Sequence, residues 1–225
     1  MSSLRKLIPF KVRLRVEIEV FKTLAKGSRI VEYPYVIRNV SVPKPSKILV
    51  FGGWNDFAAL QLASLGFNVT AFDLQDNVFR HPNLKYVKGD FLVTSKGFVD
   101  NCFEVATALS SIEHVGLNVY AGPLIESGDQ IVVKQIHRLL EPGGIFILTV
   151  PFGRKGVYSK KKPTYRKYDR QTIKHLLEDF TIIDMTCFGC SPTLEWLPMD
   201  PDKLENEAEI DTPRGVIGVC AQKPV

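Results

Sequence analysis

The segment from Lys47 to Asp73 constrains the fold most strongly. An apolar run ends at Phe51, the chain turns at Gly52 and Gly53, an Ala- and Leu-rich stretch follows, and a second apolar run closes with Asp73. This order predicts a strand, a glycine turn, a helix and a second strand. The spacing from Gly52 to Asp73 agrees with the roughly 20 residues between a nucleotide-binding glycine turn and its ribose-binding acid. The segment therefore predicts a doubly wound α/β domain and a ligand that contains ribose.

The rest of the chain alternates apolar strands with helical patterns. Strands are predicted at residues 48–51, 67–72, 84–87, 103–109, 145–150, 181–185 and 215–221, and helices at 56–65, 130–140 and 170–180. Such alternation predicts an α/β fold with a mainly parallel sheet and helices on both faces. Residues 1–46 are predicted to be an N-terminal extension. Within it, residues 11–20 alternate apolar and charged side chains, which fits a half-buried strand or an amphipathic helix.

Composition narrows the class of protein. The 225 residues suit one large α/β domain with additions. No apolar run is long enough to span a bilayer, and charged residues near the N-terminus interrupt any signal-peptide core. The four cysteines are scattered and form no disulfide framework, so a cytoplasmic protein is predicted. Cys187 and Cys190 have the spacing of half a zinc site, but no second pair exists, so no metal site is predicted.

The residues after Gly52 argue against a dinucleotide ligand. Trp54 stands where the dinucleotide pattern needs a second glycine, and the carboxylate of Asp56 at the helix start repels phosphate. A ligand without phosphates and with a cationic end fits better, and S-adenosylmethionine has that chemistry. At the end of its strand, Asp73 can accept hydrogen bonds from two ribose hydroxyls, because a carboxylate has two acceptor oxygens. The alternative is a solvated aspartate at a strand end.

From Lys47 to about Phe188 the chain resembles the class I S-adenosylmethionine-dependent methyltransferases. Besides the glycine turn, the resemblance rests on FEVATALSSIEH at residues 103–114 and on HRLLEPGGIFILTV at residues 137–150. The second run is similar to the family's R-x-L-x-P-G-G helix, turn and strand. With the Tyr-Asp pair at 168–169 and the helix after it, the chain is similar to the type 11 group. The resemblance implies a Rossmann-like methyltransferase domain over residues 47–225.

The resemblance also implies where the cofactor would bind. Gly52 and Gly53 would lie under the methionine part of S-adenosylmethionine, and Asp73 would hold the ribose. Asp90 would bond the adenine amino group, with Phe91 beside the ring. In the loop after the fourth strand, Ser110 would contact the cofactor.

Glu113 and His114 are the predicted catalytic residues, because the resemblance implies that they lie near the transferred methyl. His114 suits a general base, since its unperturbed pKa is near 6.5. Glu113 would orient His114 or act in its place. The alternative is that the two residues only cap a loop.

Three positions depart from the family's usual pattern. The family usually has an acid at the position of Val50 and glycines at those of Trp54 and Asp56. Asp56 either compensates for the missing acid or caps the helix that follows. Trp54 either stacks on the ligand or fills its space.

The segment 154–170 is basic and carries interleaved tyrosines. Together with the net charge of +5, it favours an anionic substrate or partner, such as a phosphorylated or nucleotide-linked sugar, or RNA. The alternative is a solvated loop. The leading prediction is a methyltransferase acting on a small-molecule or sugar-like acceptor. Two other functions stay open: a catalytically silent methyltransferase-like binding protein, and an RNA-binding module that uses residues 154–170. No oligomeric state follows from the sequence.

Overall fold

The computed structural model describes residues 27–54, 56–119, 124–158, 164–206 and 214–225. In these ranges the strands are β1 (Lys47–Phe51), β2 (Asn68–Asp73), β3 (Leu84–Lys88), β4 (Phe103–Leu109), β5 (Leu140–Pro151), β6 (Gly156–Tyr158), β7 (Tyr165–Lys167), β8 (Thr181–Cys190), β9 (Trp196–Pro198) and β10 (Gly215–Gln222). The α-helices are α1 (Arg29–Asn39), α2 (Phe57–Ser64), α3 (Phe91–Thr94), α4 (Gly128–Leu139), α5 (Arg170–Leu176) and α6 (Pro201–Glu205). Short 3₁₀ turns cover Ser95–Gly97 and Ile112–His114.

In the described part of the chain, eight strands form one sheet in the order β3-β2-β1-β4-β5-β10-β8-β9, and β6 and β7 form a separate hairpin. Strands β1 to β5 pair in parallel, whereas β10 runs antiparallel to both β5 and β8. The α/β fold with a mainly parallel sheet is therefore confirmed. The strand order reverses between β1 and β4, which is the switch point where ligands bind in open sheets of this kind.

Helices cover both faces of the sheet, as predicted. On one face, α1 and α2 pack with the apolar side chains of β1, β2 and β10. On the other face, α3, α4 and α5 pack with a larger cluster that includes Phe72, Phe146 and Ile217. None of the helices in the described ranges is long and apolar enough to cross a membrane.

Helix α1 lies within the predicted N-terminal extension. Pro34, a residue type that usually interrupts a helix, lies inside it. Tyr35 and Val36 are buried against the sheet. Gly218 of β10 makes room for this packing, because a Cβ there would lie 2.7 Å from the Tyr35 ring. Residues 11–20, predicted as a strand or a helix, lie outside the described residues.

Candidate functional site

A cavity of about 890 Å³ lies at the carboxyl ends of the parallel strands, next to the switch point. Seven of the eight predicted site residues line it: Gly52, Asp73, Asp90, Phe91, Ser110, Glu113 and His114. Gly53 is the exception. It packs against β2, where an added Cβ would lie 2.7 Å from the Cβ of Ala71. The topology therefore brings together residues that are far apart in sequence.

The glycine turn and β2 build one side of the cavity, called here the glycine side (Gly52, Trp54, Asp73, Asp90 and Phe91). The N–H groups of Gly52 and Gly53 both donate to the carbonyl of Phe72, each at 3.0 Å. Gly52 has a φ of +77°, and a Cβ there would lie 2.1 Å from Oγ of Ser111. The turn therefore requires glycine at this position, both for its backbone conformation and for space.

Asp73 is held in place by backbone groups. Its Oδ2 accepts from the N–H of Trp54 at 3.0 Å, and its Oδ1 accepts from the N–H of Gln75 at 2.9 Å. Each carboxylate oxygen can accept a second hydrogen bond. Asp73 can therefore still receive two hydroxyl donors, such as those of a ribose.

Asp90 and Phe91 follow β3 and begin helix α3. Asp90 caps this helix, since its Oδ1 accepts from the N–H of Leu92 at 2.9 Å. The Phe91 ring meets Phe51 and Phe72 edge to face, with ring centroids 5.1 and 5.2 Å apart. These three rings give the glycine side an apolar floor.

The three departures from the family pattern have different structural outcomes. Asp56 is the N-cap of α2 and accepts from the N–H of Ala58 at 2.9 Å, which confirms the capping alternative. Burial raises its pKa to about 6, against the opposing effect of Arg29. Val50 is fully buried, so an acid there would have to enter the core. Trp54 lies along the cavity with 52% of its surface exposed, and the cavity stays open beside it.

The opposite side of the cavity is called here the acid side (Arg29, Ser110, Glu113, His114 and Tyr165). Ser110, Glu113 and His114 follow β4, whereas Arg29 begins α1 and Tyr165 begins β7. Glu113 lies in the Ile112–His114 turn and is only 2% exposed. Its Oε2 makes no hydrogen bond to the described residues. Burial raises the pKa of Glu113 to about 8, with the nearby carboxylate of Glu32 acting in the same direction. Burial therefore favours the protonated form of Glu113.

His114 is neutral and held in one orientation. Its Nδ1 hydrogen-bonds the carbonyl oxygen of Thr164, and a carbonyl only accepts, so Nδ1 carries the proton. Burial lowers the pKa of His114 below its ordinary value. Nε2 then carries the lone pair and lies 3.6 Å from Oε1 of Glu113. The two predicted catalytic residues are thus adjacent, with an O–H donor beside a basic nitrogen.

A buried carboxylate that the sequence analysis missed supports the acid side. Glu32 of α1 is fully buried. Its Oε1 accepts from the hydroxyls of Ser110 and Thr149, and its Oε2 accepts from Ser28 at 3.0 Å and from Nη1 of Arg29 at 2.6 Å. The Ser110 hydroxyl, predicted to contact the cofactor, is therefore engaged by Glu32.

Arg29 and Glu32 were hidden from sequence reasoning because Pro34 obscures the helix that carries them. The available signal was the i,i+3 spacing of an Arg and a Glu just after Ser28, which is typical of a first helical turn. Arg29 also donates to the carbonyl of Leu109 at 3.3 Å, at the end of β4. Helix α1 is thereby tied to the two strands on which the acid side is built.

The basic segment turns partly inward. Arg166 donates to the carbonyls of Val115 and Glu126, at 2.5 and 2.9 Å, and lies 3.7 Å from the carboxylate of Asp129. Lys167 is 8% exposed and lies over the Tyr158 ring at 4.3 Å. Arg166 thus holds the hairpin against the loop after β4, and Lys167 packs within the hairpin, whereas Arg154 and Lys155 are exposed. The lysines at 160–162 lie outside the described residues.

The two cysteines with the spacing of half a zinc site both lie in strand β8. Cys187 and Cys190 are three residues apart in β8, so their side chains lie on opposite faces of the strand. Among the described residues, no group of three or more His, Cys, Asp or Glu side chains is arranged to hold a metal ion.

Solved structures with similar folds come from several enzymes. The chain is 17% identical to a Burkholderia thailandensis 1,6-didemethyltoxoflavin-N1-methyltransferase, with a TM-score of 0.63, over 97% of this chain and 92% of that one. It is 15% identical to the cyclase SpnF, with a TM-score of 0.63, over 86% of this chain and 80% of that one. It is also 15% identical to Haemonchus contortus phosphoethanolamine N-methyltransferase 2, with a TM-score of 0.61, over 90% of this chain and 54% of that one.

These identities are low, so the similarity shows the fold, which is that of the class I S-adenosylmethionine-dependent methyltransferases. No curated protein matches the chain. One family of sequences does match, over residues 61–189, which is more than half of the chain. The protein is therefore a member of the DUF268 family, described as Caenorhabditis protein of unknown function.

Proposed function

We propose that the protein is an S-adenosylmethionine-dependent methyltransferase that acts on a small-molecule acceptor. The observation that carries this proposal is the single cavity in which the glycine turn, the strand-end carboxylate of Asp73 and the Glu113–His114 pair meet. Similar folds support it: the Burkholderia enzyme was solved with S-adenosylhomocysteine and the Haemonchus enzyme with S-adenosylmethionine.

The glycine side has a donor and acceptor set that fits S-adenosylmethionine. Asp73 would accept from the two ribose hydroxyls, and Asp90 would accept from the adenine amino group. Phe91 would lie against the base, and the turn at Gly52 would lie beneath the methionine part. When bound, the cofactor supplies a methyl group on a positively charged sulfur. The open cavity beside Trp54 leaves space for it.

The acid side would receive the acceptor. Methyl transfer is an in-line displacement, so the main task of the protein is to hold the acceptor's nucleophilic atom close and aligned. Nε2 of His114 would take the proton that the acceptor loses, because this nitrogen carries the lone pair at neutral pH. Glu113, as the neutral acid, would donate a hydrogen bond to the acceptor.

Asp73→Ala tests the assignment of the cofactor. Loss of two hydrogen bonds to a carboxylate, each worth about 1.5 to 3 kcal/mol, should weaken binding of S-adenosylhomocysteine more than tenfold in isothermal titration calorimetry. Asp76→Ala is the matched control. Its side chain is 82% exposed and forms an ion pair with Lys88 at 2.7 Å, outside the cavity lining, so the substitution should leave the affinity unchanged. Equal affinities for the wild type and Asp73→Ala would refute the role of Asp73.

The catalytically silent binding protein remains the second candidate, and one observation favours it. Val50 has an apolar, buried side chain, and the carboxylate of Asp56 is used as a helix cap. No carboxylate is therefore provided at the end of β1 by these two residues. Thermal-shift measurements separate the two functions. Stabilisation by S-adenosylmethionine or its demethylated product at millimolar concentration supports the methyltransferase, and no stabilisation by either supports the silent protein.

A further inference from the structure

The predicted N-terminal extension contributes a charged side chain to the cavity. Gly27, Ser28 and Arg29, at the start of helix α1, all belong to the lining. Arg29 keeps 30% of its side-chain surface exposed, whereas its partner Glu32 is fully buried. A guanidinium stays protonated in proteins, so Arg29 is a permanent cation at this end of the cavity.

The guanidinium of Arg29 lies where strands β1 and β4 end. Its Nη2 donates to the carbonyl oxygen of Leu109, the last residue of β4, at 3.3 Å. The same carbonyl accepts from the Ser111 hydroxyl at 2.7 Å. A Cβ on Gly52 would lie 2.1 Å from that hydroxyl oxygen. Arg29 and the glycine turn are therefore linked through one carbonyl and one hydroxyl, at the switch point of the sheet.

Contacts within the protein fix the position of Arg29 and leave it able to bind a ligand. Its Nη1 donates to Oε2 of Glu32 at 2.6 Å. Glu32 is held in turn by the hydroxyls of Ser110 and Thr149. A guanidinium has more N–H donors than the bonds to Glu32 and Leu109 use. The side chain is thus already ordered, so a ligand would not have to immobilise it.

The amino-acid end of S-adenosylmethionine requires such a partner. The glycine side would take its adenine and ribose, with Gly52 beneath the methionine part. A carboxylate that leaves water must be paired or hydrogen-bonded, and arginine can bind it through two parallel N–H···O bonds. The charge of Arg29 is already balanced by Glu32. An amino acid, which carries an ammonium beside its carboxylate, adds no net charge to this arrangement.

We propose that Arg29 binds the carboxylate of S-adenosylmethionine, so that helix α1 of the N-terminal extension completes the cofactor site. This proposal rests on the proposed methyltransferase function. The carboxylate accepts hydrogen bonds from the remaining N–H donors of Arg29, beside the glycine turn. The contact anchors the end of the cofactor opposite the adenine, and with it the sulfur that carries the methyl group.

The test compares two ligands that differ in this carboxylate: S-adenosylhomocysteine and its decarboxylated analogue, which keeps the amine. Isothermal titration calorimetry measures both dissociation constants for the wild type and for Arg29→Gln. We expect the wild type to bind S-adenosylhomocysteine about tenfold or more tightly than the analogue, and this ratio to fall to near one in Arg29→Gln. A general effect of the substitution on folding would weaken both ligands alike and leave the ratio unchanged.

Arg38→Gln is the matched control. Arg38 lies on the same helix but outside the cavity lining, and 62% of its side chain is exposed beside Asp184. This variant should keep the wild-type ratio. If Arg29→Gln does not fold because Glu32 has lost its partner, the double variant Arg29→Gln/Glu32→Gln decides. It removes both charges, so no unpaired charge remains buried, and its ratio should also be near one.

Two results would overturn the inference and leave the proposed function in place. One is equal affinity of the wild type for the two ligands, and the other is an unchanged ratio in Arg29→Gln or, if that variant does not fold, in the double variant. Absence of binding of both ligands to the wild type would overturn the inference together with the methyltransferase function.

Discussion

The two sides of the cavity are built in different ways. On the glycine side, the hydrogen bond from Trp54 to Asp73 spans 19 residues within one strand–helix–strand unit. On the acid side, the hydrogen bonds that Ser110 and Thr149 donate to Glu32 span 78 and 117 residues. One side is thus assembled by a local stretch of chain, and the other by the packing of distant segments.

The two sides also differ in how deeply their carboxyl groups are buried. Asp73 is half-buried, and backbone N–H groups satisfy both of its oxygens. Glu32 and Glu113 are buried together, and the proximity of Glu32 helps to raise the pKa of Glu113. The raised pKa of Glu113 thus lies on the side that depends on tertiary packing, where distant segments together exclude water.

At a single pH near neutrality, the largest loss of stability is expected from Glu32→Ala. The substitution leaves Arg29 without its buried partner and removes the acceptor of two hydroxyls, so the free energy of unfolding should fall by about 3 kcal/mol. Urea denaturation followed by circular dichroism measures this change. Glu178→Ala is the control, since Glu178 and its partner His175 are both more than half exposed, and it should change stability by about 0.5 kcal/mol or less. Similar losses in the two variants would show that the acid side does not depend on Glu32.

Glu113→Gln tests the electrostatics of the acid side through the pH dependence of stability. The folded-state pKa of Glu113, about 8, lies above the ordinary value of 4.5, so the wild type is stabilised by the neutral acid below pH 4.5 and loses that contribution as pH rises to about 8. Glutamine does not titrate. The free energy of unfolding of the variant, relative to the wild type, should therefore increase by about 1.4 kcal/mol per pH unit within this window.

Urea denaturation at several pH values follows this difference. A constant difference between Glu113→Gln and the wild type from pH 4.5 to about 8 would mean that Glu113 is already ionised in the folded protein. It would also remove the electrostatic contrast between the two sides.

Gly52→Ala probes the glycine side, with a smaller expected effect. The positive φ and the contact of 2.1 Å with Ser111 require a backbone shift, which should cost about 2 kcal/mol and weaken binding of S-adenosylhomocysteine. Gly97→Ala is the matched control, because a Cβ there meets nothing within 4 Å. If both variants have the stability and affinity of the wild type, the turn does not need its special conformation.

The same contrast explains what could be predicted from the sequence. The strand, turn and helix around Gly52 and the carboxylate of Asp73 form a local pattern, so the fold and the main residues of the glycine side could be named in advance. The pairing of Glu32 with Ser110 depends on how α1 packs, and no local pattern encodes it. Pro34 further disguised the helix. The inward orientation of Arg166 could not be predicted either. Composition does not distinguish an arginine that donates to backbone carbonyls from one that is solvated.

Helix α1 has a consequence for how much of the chain can stand alone. Tyr35 and Val36 cover an apolar strip of the sheet, and Gly218 is shaped to receive the tyrosine ring. A fragment that begins at Lys47 would expose this strip to water. It would also lack the Arg29–Glu32 ion pair that supports the acid side. Such a surface favours association between molecules. Helix α1 therefore covers an apolar surface whose exposure would favour aggregation.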